Sequence, residues 1–224
     1  MSDAPSSEFS ELYAAYAAGC LDPAFALMVE TQSVLRPDIR ASVAVSEMIA
    51  GSLFETVPPA ALSDGALDRA LAAIDALDAD ARISVKAGRV AGEAMTEMLA
   101  LPEPLRTTAL DAVGKAGFKN LAHGLKRLKL DSGSGLEAEL YRIMPGSRIP
   151  RHTHTGGEYT LVVAGGFTDE SGSYGPGDAM YNGPENTHQP VADEGEVCFA
   201  LVIRDGGLHF TGMLGLVQRA LGLR

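Results

Sequence analysis

Four residues of this 224-residue chain have the types and spacing to hold a cation. His152 and His154 are two apart in RHTHTGGEYT, a segment expected to be extended, and strand alternation puts both imidazoles on one face. Thr155-Gly156-Gly157 reads as a turn, after which Glu158 begins the next strand and can face the same interior. His188 follows after a further hairpin and strand. Three neutral imidazoles and one carboxylate form a full donor set for a divalent transition ion, zinc first, with iron, manganese or nickel also accommodated. A single histidine on a strand is ordinarily a core or surface residue. Here three of the five histidines in the chain fall in one short block, two of them in the spacing a strand requires. Gathering them with a carboxylate away from water is costly without a positive ion.

The elements around this block are short strands. From about Phe118 the apolar period becomes two: GLKRLKLD, LEAELYRI, EYTLVVAGGF, DAMYNG and EVCFALVIR are separated by Gly, Pro, Asp and Ser clusters. Six or more such strands over about 90 residues predict a β-sandwich or barrel, whose inward side chains can converge on one point. TGMLGLVQRALGL, near the end, is nearly apolar all round and predicts a helix packed on that barrel.

The front of the chain has a different period. SELYAAYAAGCL places Leu12, Tyr13, Tyr16 and Ala17 at helical spacing and stops at Gly19. Asp22-Pro23 opens a second helix, with proline where a missing N–H is harmless. Pro37 opens a third, expected to break at Gly51 and at Pro58-Pro59. GALDRALAAIDALDA makes a fourth, with Leu67, Leu71, Ile74 and Leu77 in one stripe. Residues 81–105 are weakly patterned and end in LPEPL, which reads as a linker. A further helix over TTALDAVGK follows. The chain therefore divides into a helical domain over 1–80, a linker over 81–105 and a β domain with its terminal helix over 106–224.

Charge excludes some functions. There are 18 Lys and Arg against 29 Asp and Glu, a net charge of −11. Such a chain has no electrostatic reason to lie on nucleic acid or an anionic membrane. Residues 1–100 hold 15 acids and 6 bases, so any partner of the front part is expected to be basic. Cys20 and Cys198 form no disulfide framework, no leader-like segment opens the chain, and no apolar run is long enough to span a bilayer. A cytoplasmic protein is expected. Cys198, in EVCFALVI, reads as a buried thiol rather than a redox sensor. Cys20, His123 and His209 match no functional spacing, and the acids Asp75, Asp78 and Asp80 read as a solvated helix face.

The spacing Gly146, five residues, His152-x-His154, three residues, Glu158, six residues, Gly165 resembles the first motif of the cupin superfamily. Gly177 and His188 resemble its second motif, although Gly183-Pro184-Glu185 replaces the usual Pro-x-Gly. The resemblance covers roughly residues 105–215. It implies a cupin barrel, a double-stranded β-helix of jelly-roll type, with His152, His154, Glu158 and His188 as metal ligands. Cupins include dioxygenases and non-enzymatic sensors, so the fold does not choose a function.

ELYAAYAAGCLDPAFALMVETQSVL, followed by more helix and then the cupin motifs, is similar to the ChrR-type anti-sigma factors in order and length. That resemblance implies a cytoplasmic regulator that sequesters an extracytoplasmic-function sigma factor and releases it under an oxidant stress. It also implies a zinc in the helical domain, held by an early histidine and a His-x3-Cys-x2-Cys run. Here Gln32, Arg36 and Ile39 stand at that run, and no histidine precedes His123, so no zinc is expected in residues 1–80. The alternative reading is a dioxygenase-like cupin metalloenzyme using open coordination positions on the ion. Pairing of two barrels into a homodimer is a common cupin habit.

Overall fold

The computed structural model describes residues 7–75 and 93–210. The predicted C-terminal helix, residues 81–92 of the predicted linker, and Leu77, Asp78 and Asp80 lie outside them.

Helix α1 spans Ser7–Ala17 and ends at Gly19, whose φ of 68° is the left-handed conformation that closes a helix. Helix α2 spans Pro23–Leu35; the Asp22 carboxylate caps it by accepting from the Ala24 amide at 2.9 Å. Helix α3 spans Pro37–Phe54. It runs through Gly51, where a break is expected from sequence: a helical glycine costs only about 1 kcal/mol, and the neighbouring turns carry the helix across. Residues 66–75 form α4. Phe9, Tyr13, Val29, Ile39 and Val43 make a small core among α1, α2 and α3.

Helix α5, Glu93–Leu99, occupies part of the predicted linker. Its Met98 is 4% exposed, and Leu101 and Leu105 just beyond it are 2% and 0% exposed. The apolar residues in this stretch give too weak a periodicity to predict a helix alone, and packing decides it. Helix α6 follows at Leu105–Lys115.

Twelve short strands follow among the described residues. A six-stranded antiparallel sheet runs in the order β1 (Lys119–Ala122), β2 (Leu125–Leu130), β3 (Glu137–Ile143), β11 (Cys198–Arg204), β5 (Glu158–Ala164), β8 (Ala179–Asn182). A three-stranded sheet pairs β10 (Val191–Ala192), β6 (Phe167–Thr168) and β7 (Ser173–Tyr174). Another pairs β12 (Leu208–Phe210), β4 (His152–His154) and β9 (Thr187–His188).

The large sheet is covered on both faces, which is why every residue of CFALVIR in β11 is buried rather than alternating. On its outer face Leu128, Leu140, Leu161, Leu201 and Ile203 pack under Leu27 and Met28 of α2, Met98 of α5 and Ala109 of α6. On its inner face Leu125, Ile143, Val162, Cys198, Ala200 and Val202 meet Phe167 from the opposite sheet, giving the cupin barrel its apolar floor. No helix among the described residues is long and apolar enough to cross a membrane.

Candidate metal centre

The polar end of the barrel holds the four predicted residues. His152 and His154 point inward from β4 and are 3% and 4% exposed. In the β4–β9 ladder His152 lies directly opposite His188. Glu158 starts β5 after the predicted turn and is equally buried. One ligand atom from each of the four comes within 4.8 Å of all the others. His188 Nε2 is 3.1 Å from His152 Nε2 and 3.3 Å from His154 Nε2.

Two further contacts fix which ring nitrogen faces inward. The Pro150 carbonyl can only accept, so His152 donates from Nδ1 at 2.8 Å and turns an unprotonated Nε2 toward the cluster. His188 donates from Nδ1 to Asp169 Oδ2 at 2.9 Å with the same result. Asp169 is locked in turn by the Ser171 and Gly172 amides, both bonded to its Oδ1. Lone pairs of close imidazoles repel one another unless a cation lies between them. Burial, and then the neighbouring imidazoles, push His152 down to about 4 and His154 to about 3, so both are neutral bases at pH 7. Burial raises the Glu158 carboxyl, partly opposed by the Arg204 charge. Imidazoles that resist protonation keep their lone pairs available to a positive ion, and such an ion would offset the burial that opposes the Glu158 charge. These four residues could hold a metal, and their donor chemistry fits one.

The departure from the second cupin motif does not displace His188. Asn186 closes the turn by accepting from Gly183 N at 2.8 Å. Thr153, between the two strand histidines, donates to the carbonyls of Pro184 and Asn186 and ties that turn to β4.

Beside the four lies a buried charge network that the sequence did not flag. Arg204 at the end of β11 bonds Glu139 through Nη2, and its Nη1 meets Tyr141 Oη at 3.2 Å and Glu158 Oε2 at 3.8 Å. Arg127 Nη1 reaches the other oxygen of Glu139 at 3.1 Å. Glu139 is 0% exposed, so its charge rests on these guanidinium groups and on the Tyr141 hydroxyl, which donates to Oε2 at 3.0 Å. Thr160 donates to Glu158 Oε1 at 3.4 Å, and Asn182 lies opposite Glu158 in the β5–β8 ladder. Asp169 carried no sequence signal, because it sits in a turn with no ligand spacing. Arg204 and Glu139 could have been suspected as charges at inward positions of apolar strands.

A family model described as the ChrR cupin-like domain matches residues 107–204. The anti-sigma-E factor ChrR of Cereibacter sphaeroides is 34% identical over 203 residues, which cover 91% of each chain. The chain belongs to the ChrR family of anti-sigma factors. The crystal structure of Rhodobacter sphaeroides SigE in complex with the anti-sigma ChrR contains a similar fold. The match has a TM-score of 0.64 and 32% identity, and it covers 88% of this chain and 96% of that one.

The zinc that the ChrR-type resemblance implies for the helical part does not fit the residues present. Gln32 is an amide engaged on both sides: it accepts from Tyr13 Oη at 3.0 Å and donates to the Gly177 carbonyl at 3.1 Å. Arg36 is a cation paired with Asp38 and Asp178. Ile39 offers no donor and is 5% exposed in the helical core. The remaining candidates fall as follows. Cys198 is buried in the barrel floor, and burial lifts its thiol to about 12. Cys20 is exposed. His123 lies on the exposed β1–β2 turn, and the backbone of His209 pairs with Thr153 rather than with a histidine of the site.

Proposed function

We propose that this ChrR-family chain is a regulator that holds an extracytoplasmic-function sigma factor through its helical part, over residues 1–80. In this reading the barrel, from residue 106 onward, carries one divalent ion on His152, His154, Glu158 and His188 as its sensing or switching module. Zinc is the metal assigned, since three imidazoles and a carboxylate at a buried site suit it. The cytoplasm, where sigma factors act, is the compartment assigned.

The observation that carries the reading is an uncovered apolar surface on the helices. On the distal half of α3, Val45, Met48, Ile49 and Leu53 are 52–70% exposed, at spacings that put them along one flank, and Phe54 at the helix end is 73% exposed. Val57 and Leu62 beyond the helix are exposed too, and Leu67, Leu71 and Ile74 of α4 form a second exposed stripe. So many large apolar side chains facing water on adjoining helices mark a protein-binding face. The relative of known structure is described in complex with SigE, so a sigma factor is the occupant this face best fits. The acidic balance of residues 1–100 suits a basic partner.

The test is co-expression of the full chain with an extracytoplasmic-function sigma factor from the same genome. Retention of that sigma factor on the tagged, metal-loaded chain, and not of the primary sigma factor, is expected. A clean chain with no sigma factor retained would overturn the reading.

A further inference from the structure

Where the family resemblance places a zinc run, this chain instead bonds the helices directly to the barrel. Arg36 is the extended joint between α2 and α3, with φ −125° and ψ 105°. Its Nε and Nη2 bond the two oxygens of Asp38 in the first turn of α3, at 2.9 and 2.8 Å. Its Nη1 bonds Asp178 Oδ1 of the barrel at 2.9 Å. One turn earlier Gln32 joins Tyr13 of α1 to the carbonyl of Gly177.

Gly177 itself has a φ of 88°, which favours glycine. A Cβ there would lie 2.4 Å from Arg36 Cγ and 3.3 Å from Leu35 Cβ. Only a hydrogen fits between the barrel turn and the helical joint. The turn also runs straight into the metal centre: Gly177 N bonds Val162 O, and the strand after Asp178 is β8, where Asn182 pairs with Glu158.

We propose that Gln32, Arg36, Gly177 and Asp178 form a latch that sets the pose of α3 from the barrel, in place of a metal within the helices. The Arg36–Asp178 pair is partly solvated and contributes little alone. The buried amide of Gln32 and the close approach at Gly177 carry the latch. Because α3 begins at Arg36 and bears the exposed apolar flank, the latch controls how that flank is presented. That last step rests on the sigma-binding reading; the latch itself does not.

The test uses the full, metal-loaded chain and amide hydrogen exchange over residues 32–54. Gln32→Leu leaves the Tyr13 hydroxyl and the Gly177 carbonyl without their partner, and Gly177→Ala forces the joint away. Each is expected to speed exchange at the start of α3 about tenfold. Gly195→Ala, at φ 103° with nothing within 4 Å, is the control for backbone strain alone and should leave α3 unchanged. Should Gly177→Ala fail to fold, Gln32→Leu alone decides. Unchanged exchange in Gln32→Leu, or an equal effect from Gly195→Ala, overturns the latch. Sigma-factor retention is measured in parallel. Loss of retention in Gln32→Leu ties the latch to partner holding, whereas faster exchange in a chain that never retains sigma leaves the latch standing and removes the sigma reading.

Discussion

Glu158 and Tyr159 are consecutive on β5 and face opposite ways. The carboxylate enters the cluster of three imidazoles, while the phenol ring packs edge-on against Phe25 at 4.8 Å and Phe9 at 6.0 Å. Tyr181, next to Asn182 on β8, closes the same aromatic group at 4.8 Å from Tyr159. The metal centre and the helices α1 and α2 are therefore separated by one β-strand. Tyr159→Ala removes the partly buried ring that both helices share, with an expected cost of about 2 kcal/mol. Protease susceptibility of the helical part should rise while the metal content of the barrel stays at the wild-type value; unaltered susceptibility would count against this packing.

Asp169 tests the orientation of the site without altering any of the four candidate ligands, because it acts through His188 Nδ1. Asp169→Asn keeps the shape but weakens the acceptor for His188 Nδ1. Metal affinity is expected to fall about 10–100-fold, as measured by competition with a chromogenic chelator. His152→Ala should abolish stoichiometric binding outright. Equal affinity in Asp169→Asn would show that the carboxylate does not orient His188.

The buried charges make a separate prediction. Arg204→Ala leaves buried Glu139 with Arg127 as its remaining guanidinium partner and takes from Glu158 its nearest guanidinium. A loss of about 3–5 kcal/mol in denaturant unfolding is expected. A loss below about 1 kcal/mol would mean that water reaches the site and screens the carboxylates.

Proton linkage gives the pH dependence. In the unfolded chain a histidine titrates near ~6.5, whereas His152 and His154 in the barrel titrate at about 4 and about 3. Their depressed values mean that the unfolded state takes up protons first, so stability is lost as pH falls below ~6.5. The raised Glu158 carboxyl acts in the opposite sense, favouring the fold while protonated. Metal-stripped Glu158→Gln removes that opposing contribution. It should lose on the order of 2 kcal/mol per histidine between pH 7 and pH 5. A denaturation midpoint that stays level or rises on acidification would contradict the buried, neutral state of the imidazoles.

Much of the centre was legible because its geometry is local. The spacing of His152 and His154 is a property of any strand, and the Gly156-Gly157 turn brings Glu158 back at once. His188 needed only the antiparallel pairing of β4 with β9. What the sequence hid depends on distant approach. Asp169 matters because the β6–β7 turn arrives at His188. Arg204 and Glu139 are intelligible only once β11 is seen beside β3. Helix α5 was read as linker because its seven residues acquire their order from the sheet they cover. Gln32, Arg36 and Ile39 announced the missing zinc run, yet nothing local to them indicated that the Gly177 turn meets them.

An anti-sigma factor acts by denying its partner to RNA polymerase, and that is the most direct measurement. Purified extracytoplasmic-function sigma factor is mixed with core polymerase, with and without an equimolar amount of the metal-loaded chain, and bound sigma is quantified. The chain should remove most of the sigma factor from core, and Ile49→Asp on the exposed flank of α3 should restore binding while the chain stays folded. Undiminished association of sigma with core in the presence of the wild-type chain would contradict the proposed function.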